Sequence, residues 1–383
     1  MAVKIIRQPK KIVLIGAPSS AAANAAGTEA APAALRAAGI AARLAKVGFE
    51  VSEGGDIPSN PWRADDETPR ARNARATVRS IEALQPLVEK ALKSGALPVI
   101  LGGDCTVTLA ALAAIRRYHR EVSLIWCDHD ADMNTPATTP SGYLHGMAVA
   151  HIAGQGAPEL VRFFKEPPLV REPDIALFGL GRIDPGEQKW LDASPMRRLS
   201  PAEIRELGPA AAAEAALERI HIFKRQWVLH FDVDVLSAEE MPATYYPAAD
   251  GLRREEFGEA LRVFLCNANL AAVTIAAYVP AADADGAAAG RLLDLFAEAM
   301  AARYRALVPE QEGKEAKDVK EVEEKKEVQE VKEEVKKEAP VSTEAGGADS
   351  QPVMAGETET ALANDGVSET VSETAGEEKT EGR

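Results

Sequence analysis

The chain has 383 residues and a formal net charge of −15, from 44 Lys and Arg against 59 Asp and Glu. Residues 309–383 carry −12 of it, with 10 basic and 22 acidic residues and no aromatic, His or Cys, so they have little from which to build a core. Residues 1–308 are nearly neutral, without the basic footprint of a nucleic-acid binder or an apolar run near the roughly 18 residues that span a bilayer. The basic start, Met1 to Lys11, leads into a strand-like run with no signal-peptide cleavage pattern. Cys105, Cys127 and Cys266 are odd in number and far apart, which argues against a disulfide framework or a structural zinc knuckle. The expectation is a soluble, cytoplasmic protein with no nucleic-acid or membrane partner.

In chain order, a strand is expected at 12–15, a helix at 29–45, a weaker strand at 49–51, a helix at 78–93 and a strand at 98–101. A helix at 107–117 and strands at 123–127, 175–178 and, weakly, 198–199 follow. The series ends with a helix at 201–224, a strand at 227–233, a helix at 254–268, a strand at 273–279 and a helix at 286–307. Continuous apolar strands alternating with helices indicate an α/β domain on a parallel sheet covered on both faces. Such sheets bind ligands at the carboxyl ends of their strands. The expected organisation is a domain over 1–308 and a tail over 309–383. The tail's Glu/Lys run to Pro340 reads as disorder or a frayed helix, with a coiled-coil contact as the alternative, and the Ser/Thr/Gly/Glu-rich remainder as disorder.

The main chemical signal follows the 123–127 strand, in Asp128-His129-Asp130-Ala131-Asp132-Met133-Asn134. In extended chain, Asp128, Asp130 and Asp132 face one side. A second cluster, His230-Phe231-Asp232-Val233-Asp234, repeats the two-residue spacing. One Asp at a strand end is ordinarily a turn or cap residue. Five together cannot all stay ionised in a partly desolvated site without a cation. An oxygen-rich set points to Mg²⁺, Mn²⁺ or Ca²⁺, and shared carboxylates suit a two-metal cluster. In Gly102-Gly103-Asp104-Cys105 the glycines permit close backbone approach, and Cys105 is either a thiolate ligand or a buried inert thiol. In the loop Ser141-Gly142-Tyr143-Leu144-His145-Gly146, His145 is either a proton-transfer group or an exposed loop histidine. No nucleophile elbow or Walker loop is present.

From about Ile12 to Leu307 the chain resembles the arginase/agmatinase (ureohydrolase) family. The matching series is Ile15-Gly-Ala-Pro18, Gly102-Gly-Asp-Cys105, Asp128-His-Asp-Ala-Asp132, Asn134-Thr-Pro136, Ser141-Gly-Tyr-Leu-His-Gly146, Asp184-Pro-Gly-Glu187, and Phe231-Asp-Val-Asp234 followed by Pro242-Ala-Thr244. The resemblance implies a three-layer α/β/α fold on an eight-stranded parallel sheet, usually a trimer or hexamer. It also implies two Mn²⁺ ions that activate a bridging hydroxide against a guanidinium carbon. Asp128, Asp132, Asp232 and Asp234 match metal ligands, with Cys105 and Asp130 standing where the family has its two ligand histidines. Asp132 and His145 match catalytic positions. Asn134, Thr139 and Ser141 match positions that hold a substrate carboxylate, and Asp184 one that meets its amino group. Ala277 replaces the family's guanidinium-pairing Glu, and Tyr246 replaces a small polar residue near the substrate.

Cys105 and Asp130 add negative charge that imidazole would not, which makes bound water less acidic. Loss of a buried partner for guanidinium weakens arginine binding. The expected function is a metal-dependent hydrolase cutting a linear C–N bond of a guanidine- or amidine-like small molecule. The alternative is a catalytically impaired member that binds a ligand or regulates an active relative.

Overall fold

The computed structural model describes residues 7–220 and 225–308. All eight expected strands form, and they pair in parallel in one sheet. They are β1 (Lys11–Gly16), β2 (Glu50–Asp56), β3 (Leu97–Leu101), β4 (Val122–Cys127), β5 (Ile175–Phe178), β6 (Arg197–Leu199), β7 (Gln226–Asp232) and β8 (Leu270–Ala276). The strand order is β2-β1-β3-β8-β7-β4-β5-β6. The inner strands are almost wholly buried, which is why they read as unbroken apolar runs rather than alternating ones.

Alternate side chains feed two cores, one on each face. Ile12, Leu14, Ile125, Leu229 and Phe231 pack beneath the helices Ile40–Val47, Arg254–Leu265 and Ala287–Leu307. Ile15, Ile100, Leu124, Trp126 and Val228 pack beneath Ala74–Lys93 and Val107–Arg116. The result is the expected three-layer arrangement.

Three expectations need correction. The helix expected over 29–45 is broken into a 3-10 turn Thr28–Ala30 and the helices Ala31–Ala37 and Ile40–Val47, with Gly39 at φ 88°. The helix expected over 201–224 becomes Pro201–Leu207 and Pro209–Arg219. Gly208 turns the chain at φ 83°, and Pro209 has no N–H with which to continue the first helix. The last strand ends at Ala276, because Ala277 adopts φ 66° and donates its N–H to Gly103 O at 2.9 Å, leaving the sheet. Among the described residues no helix is long and apolar enough to cross a membrane. The tail expected over 309–383 lies outside the described residues, as does the end of the 201–224 segment.

Strands β4, β5 and β6 step away from the sheet centre, and β7 and β8 return to fill it. The carboxyl ends of β3, β8, β7 and β4 therefore lie side by side, where open α/β sheets place their ligands.

Candidate active site

Strand β3 runs into Gly102-Gly103-Asp104-Cys105. A Cβ at Gly103 would lie 2.1 Å from Ser19 O, and one at Gly102 2.7 Å from Ile275 O, so both glycines admit neighbouring backbone as expected. Asp104 turns away from the site. Its Oδ2 accepts the Ala22 N–H at 3.2 Å and its Oδ1 the Thr106 N–H at 3.1 Å, tying the loop after β1 to this turn. Cys105 is thereby fixed and buried, and its Sγ–H donates to Asp232 Oδ2 at 3.1 Å.

Strand β4 delivers Asp128. Its Oδ2 accepts Trp126 Nε1–H at 3.0 Å and its Oδ1 accepts the Asp130 N–H at 2.7 Å. Asp232 closes β7 and accepts the Asp234 N–H at 2.9 Å, turning the chain into the 3-10 segment Val233–Val235. Asp234 accepts the His129 N–H at 3.3 Å. His129 itself points away, as strand alternation predicts, with Nε2 3.1 Å from Asp250 Oδ1.

Donor atoms converge in two groups, each with all atoms within 4.8 Å of one another. One contains Cys105, Asp128, His230 and Asp232; the other contains Asp128, Asp130 and Asp234. Asp132 enters neither group among the described residues. It sits at φ 51°, a left-handed conformation that Asp tolerates, so the expected one-sided alternation of Asp128, Asp130 and Asp132 fails at its third member. Asp132 Oδ2 is buried without a partner among the described residues. Cys105 and Asp130 stand where the family has its two histidines, and His230 adds an imidazole from β7 to the candidate donors.

Burial raises the Asp128, Asp132 and Asp232 carboxyls well above the usual carboxylate range, and neighbouring carboxylates push the same way. Asp130 is pushed up to about 8 by burial and then by Asp234, against the opposing pull of Arg182. Burial, followed by Asp232, Asp132 and Asp128, raises the Cys105 thiol. A divalent cation reverses this preference for protons. The buried orphans His230 Nε2 and Asp132 Oδ2 also have lone pairs to offer, so the residues present fit such an ion.

Beside these donors opens a cleft of about 230 Å³. Asn134, Thr139, Ser141, Asp184 and Tyr246, all expected on the substrate side, line it together with Asp132 and His145. Asn134 Nδ2 donates to Asp184 Oδ2 at 2.8 Å. Thr139 Oγ1 accepts the Ser141 and Gly142 N–H groups at 3.2 and 2.9 Å. His145 is half-buried rather than exposed, and its ring stacks on Tyr246 with centroids 5.7 Å apart. Burial lowers its pKa to about 4, which leaves it neutral near pH 7 and a weaker base than an exposed imidazole.

Three further residues of this cleft had no role in the sequence-based set. Glu187, buried, accepts the Met133 N–H at 2.8 Å and the Asp184 N–H at 2.7 Å, and burial raises it to about 7. Its signal was available, since Asp184-Pro-Gly-Glu187 spells a capping box. Tyr143 lies in the quoted loop. Arg182 Nη1 donates to Asp130 Oδ2 at 2.7 Å, and its guanidinium lies 5.6 Å from the Tyr246 ring centroid. It comes from the irregular chain after β5, where no periodicity marks it.

Comparison with known proteins agrees with this geometry. The family model described as "Arginase family" matches residues 10–302. Arginase-1 of Rattus norvegicus is 32% identical over 253 residues, covering 65% of this chain and 78% of that protein. The crystal structure of arginase from Bacillus cereus superposes with a TM-score of 0.70 at 25% identity, covering 76% of this chain and 98% of that one. The arginase of Bacillus caldovelox gives 0.70 at 26% with the same coverage. With its eight-stranded parallel sheet, its convergent donor groups and a family match over most of its length, the chain belongs to the arginase family.

Proposed function

We propose that residues 1–308 are a divalent-metal-dependent hydrolase of the ureohydrolase type, cutting a linear C–N bond in a small guanidine- or amidine-like molecule. The observation that carries this reading is the pair of buried donor groups sharing Asp128 beside a cleft lined by the expected substrate positions. Asp128, Asp130, Asp232 and Asp234, with Cys105 and His230, would hold divalent cations, whose chemistry there would be to neutralise the carboxylates and lower the pKa of water. Asp128, Asp130 and Asp234 are an all-oxygen set of the kind that suits Mn²⁺.

The chain's own residues divide the remaining work. The Asn134 amide and the Thr139 and Ser141 hydroxyls offer hydrogen bonds to a substrate carboxylate, and Asp184, held by Asn134, offers a counter-charge to an ammonium. His145 is neutral at working pH and can take a proton and release it toward the leaving nitrogen, with Asp132 as the buried carboxyl on the metal side. Ala277 presents no carboxylate to a guanidinium, and Arg182 already occupies Asp130. A cleft of about 230 Å³ lies below the roughly 300 Å³ at which drug-sized pockets begin. These features favour a compact amidine or guanidino acid over arginine. A trimer or hexamer and a cytoplasmic location, in keeping with three free thiols, belong to the same reading.

The test purifies the full chain, measures bound metal, and follows urea or ammonia release from arginine, agmatine, guanidinobutyrate and a set of amidino acids with added Mn²⁺. Turnover of a guanidino or amidino acid ahead of arginine is expected. A protein that holds no metal and cleaves none of these substrates contradicts the proposal.

A further inference from the structure

The mixed donor group differs from the all-carboxylate group beside it, and the difference centres on His230. Its ring is fully buried and stacks on Trp126, with centroids 3.6 Å apart and planes 17° from parallel. Nδ1 lies 2.7 Å from Thr108 Oγ1 and 3.0 Å from Thr274 Oγ1, and the two hydroxyls are 2.9 Å apart. Nε2 finds no hydrogen-bond partner among the described residues. It nevertheless lies 4.0 Å from Asp128 Oδ2, and the His230 ring offers a nitrogen within 4.8 Å of the donor atoms of Cys105, Asp128 and Asp232. The 4.0 Å separation is too long for a hydrogen bond. Tetrahedral ligands bonded at about 2.1 Å stand roughly 3.4 Å apart, so a bound ion would draw this pair together by about 0.6 Å. When Nδ1–H donates to a threonine hydroxyl, the lone pair is left on Nε2, the tautomer that metal-binding histidines are held in by their outer partners.

We propose that Cys105 Sγ, His230 Nε2 and the carboxylates of Asp128 and Asp232 form a four-donor site that takes Zn²⁺ in preference to Mn²⁺, with Thr108 and Thr274 positioning His230. This inference rests on the metal dependence proposed above and specifies which ion the mixed group holds. One sulfur, one nitrogen and two oxygens match the donor types and number of tetrahedral zinc sites. Thiolate and imidazole both select zinc over manganese, reinforcing the intrinsic order of affinities. Imidazole also adds a ligand without adding negative charge, which matters where a thiolate and two carboxylates already exceed the charge of one divalent ion. The position follows from strand geometry: His230 and Asp232 are two residues apart on β7 and face the same side.

The test strips the full chain with a chelator and titrates it with Zn²⁺, Co²⁺ or Mn²⁺ separately. Zn²⁺ is expected to bind at least about tenfold more tightly than Mn²⁺. The Co²⁺ form should show a thiolate-to-cobalt charge-transfer band in the near ultraviolet that Cys105→Ser removes. His230→Gln should weaken Zn²⁺ binding by at least about tenfold, and Thr108→Val, which keeps every ligand, by about tenfold. Circular dichroism of the metal-free variants checks folding, and Thr108→Val serves if His230→Gln does not fold. Unchanged Zn²⁺ affinity in folded His230→Gln or Thr108→Val, a preference for Mn²⁺, or a Co²⁺ form without the thiolate band would each overturn the assignment. Zinc bound as proposed, with no turnover of any guanidino or amidino compound, would instead sink the hydrolase reading and leave the site standing.

Discussion

Gly103 shows how tightly the donors are tied to the backbone around them. Its missing Cβ leaves room for two carbonyls, Ser19 O at 2.1 Å and Ala17 O at 2.7 Å from where that carbon would be. Both are backbone carbonyls already engaged, Ser19 O by the Asp104 N–H at 3.0 Å and Ala17 O by the Ser19 N–H at 2.7 Å, so neither can rotate aside. Gly103→Ala should therefore destabilise the protein by about 1–3 kcal/mol and shift Cys105, two residues on, away from Asp232. The urea midpoint and the metal affinity should fall together; a variant with normal values for both would refute the argument. Residues of this kind were legible because glycine at a strand end has few other uses. The carboxylates were legible for a similar reason, since Asp128, Asp232 and Asp234 follow apolar strands that leave them nowhere else to go. Asp132 departs from the alternation of Asp128 and Asp130 because its left-handed turn at φ 51° belongs to the loop it enters, not to the strand it leaves. His230 was overlooked although its spacing from Asp232 was visible, because the missing histidines were sought at positions 105 and 130 rather than on the neighbouring strand.

At the scale of elements, the six strands between the edges were recoverable because burial makes each a largely apolar run. The edge strands β2 and β6, polar and less buried, showed only as weak signals. Helix ends were less legible, since Ala-rich composition favours helix on both sides of a break and conceals it. The division at Gly208 is the clearest case. Gly-Pro is a turn signal, yet the surrounding Ala and Glu residues outweighed it. A Cβ at Gly208 would meet nothing within 4 Å, so replacement there tests conformation alone. Gly208 has φ 83°, and a left-handed backbone costs a residue with a Cβ about 1–2 kcal/mol. Gly208→Ala is expected to lower stability by that amount without changing metal affinity, because the helices Pro201–Leu207 and Pro209–Arg219 do not contribute a donor to either group. Equal stability in chemical denaturation would show that the turn relaxes at no cost.

For the whole molecule, net charge and structural charge separate. Both cores draw their residues from between Ile12 and Met300, whereas residues 309–383 carry −12 of the −15 net charge. With both described cores complete before residue 309, removing 309–383 should change folding stability by less than about 0.5 kcal/mol, measured by denaturant unfolding of both forms. The carboxylates at the sheet centre should matter far more, and in a pH-dependent way. Asp130 has its pKa raised to about 8 in the folded protein against about 4 when unfolded, and Asp128, Asp132 and Asp232 are raised as well. A raised pKa means that the folded state binds the proton more tightly. Its stabilising effect is complete below about pH 4 and is lost as pH rises through about 8. The metal-free protein should thus weaken between pH 6 and 8. Metal binding runs the other way, because its ligands must be deprotonated. At a free ion concentration about 100 times Kd, binding contributes roughly 2.7 kcal/mol, or a rise in Tm of roughly 5–10 °C for a domain of this size. Thermal unfolding with Zn²⁺ or Mn²⁺ and with a chelator should therefore show a metal-dependent shift that is larger at pH 8 than at pH 6. A shift that is absent, or that shrinks with rising pH, would mean that these carboxylates are stabilised by protons alone.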